Sequence, residues 1–437
     1  MEKKVLFISY WGPPYSNIGA LRVEKFLKYL PLFGYQPYLV CGGVEKIRNP
    51  FIFKPKYIDL YFESKKVKDI IEPILQKLVK GEKNNYYNKT KIPNIDEVIL
   101  DSLKPKGLWP LSEVRIPDKF FSWIIPAVFT GLKLLNQEKF DIIYSSSGPP
   151  SSAIVASILQ RYSNLPWVAE FRDLWSDNHV DIRKTYIHKI DDLIERITLS
   201  NAHAFVTVSE PLKEILYKKY SKPSFVIYNG YDAEDYPLNV ELTKKFTITY
   251  TGKIYLGKRD PSLLFEIVSG LSKKGIINVN NFEIRFWGSE LDIVKDLANK
   301  YGIEDYVYIG GKVPYKESLK HQKESWLLLL LEWNDPRAKG VLTGKVFEYL
   351  GSGRPILSIS YNEGSLNDLL EKTKSGVLLN SYEELEEFLT FCIKKYNEGD
   401  KSLGFNPLKE EILKYCRKEA SRNLSQIFDS LLERNIG

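Results

Sequence analysis

The sequence predicts an α/β protein built from two doubly wound, Rossmann-like domains. Three observations carry that expectation. The chain has 437 residues, and a single core rarely grows past about 250–300 residues before a chain divides. Residues 4–41 read strand, helix, strand. A second alternation of the same kind starts at Phe246, after the polar stretch 232–245.

Lys4–Tyr10 (KVLFISY) has the length and apolar content of a buried parallel strand. Gly19–Phe33 puts Leu21, Phe26, Leu27, Leu30 and Phe33 on one helical face, Gly34 stops it, and Gln36–Cys41 resumes as a strand. Residues 44–115 are rich in Lys, Asn and Pro around a helical stretch at Val67–Lys80, and read as an insertion covering one edge of the first domain. Regular alternation returns with a helix near Phe120–Asn136, a strand at Asp141–Ser145 and a helix from Ser151. Strands follow at Trp167–Phe171, Ala204–Ser209 and Ser224–Tyr228. In the second run, strands are expected at Phe246–Tyr250, Phe282–Trp287, Tyr306–Gly310, Trp326–Leu331 and Pro355–Ser360, with helices at Pro261–Ser272 and Gly344–Leu350. Trp326–Leu331 (WLLLLL) is too apolar for anything but a central buried strand. The expected domains are 1–235 and 245–405, their strand ends facing a shared cleft. A final helix at about Leu408–Arg434, within 406–437, would cross back onto the first domain.

Composition removes several classes. With 43% hydrophobic, 27% charged and 13% aromatic residues, the chain is neither disordered, collagen-like nor a disulfide scaffold. Cys41, Cys392 and Cys416 form neither a zinc pattern nor a redox pair, which suits a reducing cytosol. The opening MEKKVLFISYWGPP reads as a strand and not a signal peptide, and no window supplies the roughly 18 apolar residues of a membrane span. The net charge of +7 is unevenly placed: residues 1–150 hold 23 Lys+Arg against 15 Asp+Glu. Such an excess could face phosphates or anionic lipid, or be an ordinary solvated face.

Four loops follow strands where a doubly wound sheet binds ligands. Gly12-Pro-Pro-Tyr-Ser-Asn-Ile-Gly19-Ala-Leu-Arg22 opens a helix, where backbone N–H groups and the helix dipole favour an anion; a plain turn explains it as well. Thr251-Gly-Lys-Ile-Tyr-Leu-Gly-Lys-Arg259 brings Lys253, Lys258 and Arg259 directly after a strand, which suits a diphosphate or an exposed basic loop about equally. Arg337-Ala-Lys-Gly-Val-Leu-Thr343-Gly-Lys-Val-Phe-Glu348 joins a phosphate-type helix start at Thr343 and Gly344 to Lys345, with Glu348 one turn on, where it could accept two bonds from a ribose diol. The simpler readings are a solvated Lys345 and a Glu348 stabilised by the helix dipole. Pro166-Trp-Val-Ala-Glu170-Phe-Arg172-Asp173-Leu-Trp175 ends a buried strand in charge. There Asp173 and Arg172 are an ion pair holding the loop, or a base and electrostatic stabiliser. The histidines at 179, 188, 203 and 321 have no metal-ligand spacing, and H-E-x-x-H, D-x-D and G-x-S-x-G are absent, so no metal is expected.

Taken in order, these segments resemble glycosyltransferase family 4, whose architecture is the two-domain GT-B fold. PPYSNIGALR resembles the family's glycine-containing first loop. IPDKFFSWIIPA with DIIYSSSGPPSS, and PWVAEFRDLW, resemble a subgroup with D-x-x-x-x-S-x-P-P and P-W-V-x-x-F-R-D-x-W patterns. VTVSEPL and VIYNGYD resemble the end of the first domain, and YTGKIYLGKRDP and LTGKVFEYLGSGRPIL the donor-binding loops. The resemblance implies a UDP- or GDP-linked sugar donor in the second domain and an acceptor on the first. By position, Lys253, Lys258 and Arg259 would neutralise the diphosphate, Arg259 first among them. Thr343, Gly344 and Lys345 would hold the phosphates, Glu348 the ribose, and Gly288 would let its loop line the base pocket. Gly19 would approach the phosphate–sugar junction. Arg172 and Asp173 occupy the loop where many relatives carry a histidine. A second departure is Gly340, which stands where many relatives have the first of two glutamates; Glu348 is the second.

The implied activity is transfer of a hexosyl or N-acetylhexosaminyl group to an acceptor hydroxyl, without a metal or other cofactor and with retained anomeric configuration. A glycan or lipid-linked acceptor in surface polysaccharide assembly is expected, at a cytoplasmic location peripheral to the inner face of an anionic membrane. Lys and Arg in 44–115 with Phe120, Phe121 and Trp123 would make that contact. Nucleic acid is not expected, since no recognition motif accompanies the basic residues. The alternatives are a nucleotide-sugar epimerase or phosphorylase on the same fold, or a catalytically silent binding subunit.

Overall fold

A computed structural model of the protein describes residues 2–15, 17–43, 48–58, 117–177, 185–254, 259–332, 342–360 and 364–434. They form two parallel α/β sheets. The first runs in the order β3-β2-β1-β4-β5-β6-β7. Its strands are β1 (Lys3–Ser9), β2 (Tyr35–Cys41), β3 (Ile52–Phe53), β4 (Ile142–Ser147), β5 (Trp167–Phe171), β6 (Ala204–Thr207) and β7 (Ser224–Val226). Helices α1 (Ile18–Tyr29), α2 (Ile124–Gln137), α3 (Ser151–Ser163), α4 (Thr185–Leu199) and α5 (Glu210–Tyr220) lie between them in the chain. Val5 of β1 pairs with Ile142 of β4, and Ile143 with Trp167 of β5.

The second sheet runs β10-β9-β8-β11-β12-β13. Its strands are β8 (Phe246–Thr251), β9 (Phe282–Trp287), β10 (Val307–Gly311), β11 (Leu327–Leu331), β12 (Ile356–Ile359) and β13 (Gly376–Leu379). The helices are α6 (Ser262–Lys273), α7 (Asp292–Tyr301), α8 (Tyr315–Lys323), α9 (Gly344–Ser352), α10 (Ser365–Thr373) and α11 (Tyr382–Asn397), then α12 (Lys409–Leu413) and α13 (Arg417–Arg434). Strand β11 shows why five consecutive leucines belong here. Leu327, Leu329 and Leu331 enter one core with Phe246, Ile248 and Phe286, while Leu328 and Leu330 enter the opposite core with Val346, Phe347 and Tyr349. A strand covered on both faces can be apolar at every position.

By packing, the chain falls into two compact units, one of residues 1–14 and 36–204 and the other of 15–35 and 205–437. Helix α1 therefore belongs to the second unit.

Several local departures from the sequence-based expectation have clear causes. The first helix ends at Tyr29 and tightens into a 3-10 turn over Leu30–Phe33, because Pro31 has no N–H for an α-helical bond; Gly34 closes it at φ +82°. Residues 52–53, expected within an insertion, form β3 and extend the sheet beside Leu39 and Val40. The stretch Val67–Lys80 and the other lysine-rich residues of 59–116 lie outside the described residues. The final helix is broken at 414–416, where the backbone is drawn to Tyr231: Tyr231 N–H donates to the Tyr415 carbonyl at 3.2 Å and Arg417 N–H to the Tyr231 carbonyl at 2.7 Å. A Cβ at Gly230 would collide with that same Tyr415 carbonyl oxygen, so only glycine fits there. Helix α13 packs on α1, and Tyr35 Oη donates to Asp429 Oδ1 at 2.7 Å.

The expected aromatic contact with a membrane is overturned for two of its residues. Phe120 is 9% exposed and Trp123 fully buried, with Tyr10 stacked on Phe120 at 3.9 Å. Their rings fill the interior of the first unit.

In the second unit, a buried ionic cluster ties α1 to residues 227–235. Arg22 donates from Nη1 to the Tyr228 carbonyl and from Nη2 to the Ile227 carbonyl, both at 2.8 Å. Lys25 Nζ meets Asp232 at 2.7 Å and Asp235 at 2.6 Å, while Tyr29 Oη donates to Asp232 at 2.8 Å. Burial opposes the charge on Asp232, but bonds from Lys25, Tyr29 and Lys28 outweigh it and hold the carboxyl at about 2. A folded-state value below the unfolded one stabilises the protein above pH 4, and that contribution disappears as the pH falls toward 2. Asp232→Asn is expected to lower stability at pH 7 by about 2 kcal/mol, and by about half as much at pH 3. Urea unfolding of both proteins at the two pH values measures this; equal losses at both would overturn the ionic assignment.

Candidate functional site

The second unit gathers most of the expected residues at the carboxyl ends of β8, β9 and β11. Gly252 follows β8 at φ +134°, a backbone conformation that favours glycine, and its N–H donates to the Trp287 carbonyl at 2.7 Å. A Cβ at Gly252 would run into Cε and Nζ of Lys345, and one at Gly288 would run into the Gly252 carbonyl. The two bare backbones thus let the loops after β8 and β9 nest against the first turn of α9.

Lys345 fills the space that Gly252 leaves. Its Nζ donates to Tyr250 Oη at 2.6 Å and lies 4.3 Å from the centre of that ring. It is not the solvated side chain that its sequence position allows. Burial, followed by the Arg259 charge, lowers its pKa to about 7, with Glu332 and Glu348 acting the other way. Arg259 donates from Nη1 to the Lys253 carbonyl at 3.3 Å, and Lys253 Nζ pairs with Glu290 at 2.5 Å. Lys258 lies outside the described residues.

Thr343 precedes α9 in an extended conformation and makes no side-chain cap; its hydroxyl donates to Glu332 Oε1 at 3.1 Å instead. The amide end of α9 is therefore left uncapped by its own threonine, as an anion site requires. A Cβ on Gly344 would stand 3.0 Å from Cδ1 of Ile18, the first residue of α1, so the amino ends of α9 and α1 approach within this unit. Gly19 is buried in that first turn of α1, where Asn17 accepts from the Ala20 N–H at 2.9 Å.

Glu348 sits one turn into α9. Gln322 bridges from Nε2 to Glu348 Oε2 at 3.2 Å and to Thr251 Oγ1 at 3.0 Å. Burial raises the Glu348 carboxyl above the usual range, against the bond from Gln322 and the charges of Lys345 and Arg417. Beside Gly288, the Trp287 ring stacks on His321 at 3.7 Å, and His321 Nδ1 lies 2.7 Å from Glu324 Oε1.

Arg172 and Asp173 belong to the first unit. Arg172 Nη2 donates to the Gly148 carbonyl at 3.0 Å, while Asp173 is exposed. Gly148, at φ +129°, leaves room for that guanidinium. Neighbouring Glu170 is fully buried and accepts from Ser146 at 2.6 Å.

Three participants escaped the sequence reading. Glu332 ends the leucine strand, and burial raises its carboxyl above the ordinary value, against Arg259, Thr343 and Lys345. A charged residue directly after a buried strand was the available signal. Tyr250 looked like an ordinary strand residue, and Gln322 stands on α8 with no motif around it.

The lowered pKa of Lys345 has a stability consequence. Between about 7 and 10.5 the unfolded chain holds a proton that the folded chain lacks, so stability from this group rises with pH across that window. Lys345→Met should raise the stability of the ligand-free protein at pH 7 by roughly 1–3 kcal/mol, with the gain shrinking toward pH 10. Denaturant unfolding at both pH values tests it, and destabilisation at pH 7 would show that Lys345 is not strained.

The fold has counterparts among solved proteins. No curated protein sequence matches the chain. Sucrose-phosphate synthase from Thermosynechococcus elongatus superposes with a TM-score of 0.61 at 12% identity, covering 99% of this chain and 100% of that one. HepE of Anabaena, solved in complex with UDP, gives 0.60 at 12% identity over 98% and 100%. The lipopolysaccharide outer core galactosyltransferase WaaB gives 0.54 at 13% identity over 98% and 99%. Residues 96–235 match the model of Glycosyltransferase Family 4, and the chain that carries this family segment has the GT-B fold.

Proposed function

We propose that the protein is a glycosyltransferase that moves a sugar from a nucleoside-diphosphate donor to an acceptor hydroxyl. The observation that supports this best is the convergence of Arg259, Lys345 and the uncapped amino end of α9 at the carboxyl ends of parallel strands. Departure of a nucleoside diphosphate builds negative charge on its terminal phosphate. Preorganised cations and a helix amino end stabilise that charge without reorganising, typically by several kcal/mol. A UDP donor is the preferred reading, since HepE of the same fold was solved with UDP and with UDP-glucose.

The roles follow the chemistry of each group. Arg259 and Lys345 neutralise the diphosphate, assisted by Lys253 and Lys258. The Thr343 and Gly344 amides bind its oxygens. Glu348, oriented by Gln322, accepts from the ribose hydroxyls, and Gly288 brings its loop against the base. Glu332 supplies a carboxylate to the donor sugar, a duty relatives give to a glutamate where this chain has Gly340. Residues 1–235 hold the acceptor and 245–405 hold the donor, with Gly19 assigned to the phosphate–sugar junction and Arg172 and Asp173 to the acceptor side. Retention of configuration, metal independence and a glycan or lipid-linked acceptor at an anionic membrane complete the proposal. For membrane contact, no helix among the described residues is long and apolar enough to cross a bilayer.

Arg259→Ala and Glu348→Gln should each reduce transfer from UDP-sugars by roughly 100-fold or more, with the fold retained. Glu348→Gln should act mainly through donor affinity and Arg259→Ala mainly through turnover. Product analysis with labelled UDP-sugars measures both. Full activity in the two variants would refute the site, and donor isomerisation without transfer would favour an epimerase.

A further inference from the structure

A cavity of about 730 Å³ opens at the end of the six-stranded sheet opposite the donor loops. Its wall comes from residues preceding β8, β11 and β12, so it lies at the amino ends of the parallel strands. Donor-type sites in such sheets lie at the carboxyl ends. This cavity is therefore no extension of the candidate donor site.

Its chemistry is cationic. Lys244, Lys323, Arg354 and Lys401 line it, with Glu241 as the single acidic lining residue and Trp326 as an aromatic wall. Among the described residues none of the four cations forms an ion pair, although neighbouring lysines do: Lys245 pairs with Glu283 at 3.7 Å and Lys395 with Glu398 at 2.8 Å. Arg354 is the anchor. Its Nη2 donates to the carbonyls of Trp326 at 3.2 Å and Lys401 at 2.8 Å, while its buried Nε finds no acceptor in the protein. Lys323 Nζ donates to the Pro237 carbonyl at 2.7 Å, which leaves two further donor positions.

Four cations against one carboxylate give an excess of three positive charges. The carboxyl end of α9, which reaches the cavity at Ser352 and Gly353, offsets only about half a charge. Gathering like charges around a concave surface concentrates anions there. Arg354 thus carries guanidinium N–H capacity that its two carbonyl partners do not use. The volume is that of a small-molecule site.

We propose that this cavity is a second anion site, taking the phosphate or diphosphate group of a small phosphorylated ligand while the donor site is independently occupied. The phosphate belongs to a soluble metabolite or to a lipid headgroup. Arg354 and Lys323 supply the inner contacts to its oxygens, and Lys244 and Lys401 close over it from the exposed rim.

The test uses the full chain and inorganic pyrophosphate followed by calorimetry. Two double variants separate the sites: Lys244→Glu with Lys401→Glu at the cavity, and Arg259→Ala with Lys345→Met at the donor loops. Pyrophosphate binding is expected to survive the donor-loop changes and to weaken at least tenfold in the cavity variant. The altered lysines are exposed, so thermal melting should stay close to that of the parent. No pyrophosphate binding to the parent, or an affinity unchanged in the cavity variant, overturns the proposal. Complete loss of binding in the donor-loop variant overturns it too. UDP titration of the same proteins reports separately on the donor reading. A co-flotation arm with phosphatidic acid vesicles identifies the source: capture that the cavity substitutions abolish points to a headgroup, and retained pyrophosphate binding without capture points to a soluble ligand.

Discussion

The candidate donor site depends on one arrangement, a lysine folded inward over a bare backbone. Lys345 reaches Tyr250 only because residue 252 lacks a Cβ, and Gly252 takes its place only because residue 288 lacks one too. Each glycine accepts a backbone conformation that other residues resist, and each brings main chain closer than a side chain would allow. The result is an amine held in protein surroundings and balanced near pH 7 between its charged and neutral forms. Such a group is poorly solvated while the site is empty and well compensated once a diphosphate enters. That difference favours an anion at the site, as the proposed transfer would require.

Around that lysine the protein sets carboxylates in graded roles. Glu332 and Glu348 are both enclosed and pushed toward the neutral form, yet each is bonded by a neutral donor, Thr343 or Gln322. Among the described residues neither forms an ion pair with Lys345, unlike Lys25 and Asp232. The contrast within one unit is instructive. At α1 a tight ionic cluster fixes structure; at α9 the two carboxylates are held by neutral donors instead.

Much of this was legible in the sequence. Trp167–Phe171 and Phe282–Trp287 were bounded to the residue, because each run is apolar or alternating and ends at a charge or a glycine. Thr343, Gly344, Lys345 and Glu348 could be read as a set because a helix start fixes which of them share a turn. What escaped has equally physical reasons. Strand β13 is a short edge strand with all four residues half-buried, and α4 exposes Ile190, Leu193 and Ile197, so neither shows the usual burial pattern. Gln322 reaches Glu348 through tertiary packing alone. The inward turn of Trp123 was invisible for the same cause: a tryptophan near a basic stretch looks the same whether its partner is lipid or Tyr10.

The interlock of Gly252 with Lys345 also governs when the site comes into being. These two residues are separated by roughly 90 positions, and bringing them together must close a loop of that length before any contact rewards it. Strands β8 and β11 are neighbours in space although two further strands intervene in the chain. No shorter fragment contains the interlock, and no single secondary element carries it. The proposed phosphate site is therefore a property of the completed sheet, acquired late in folding and lost early when the sheet loosens.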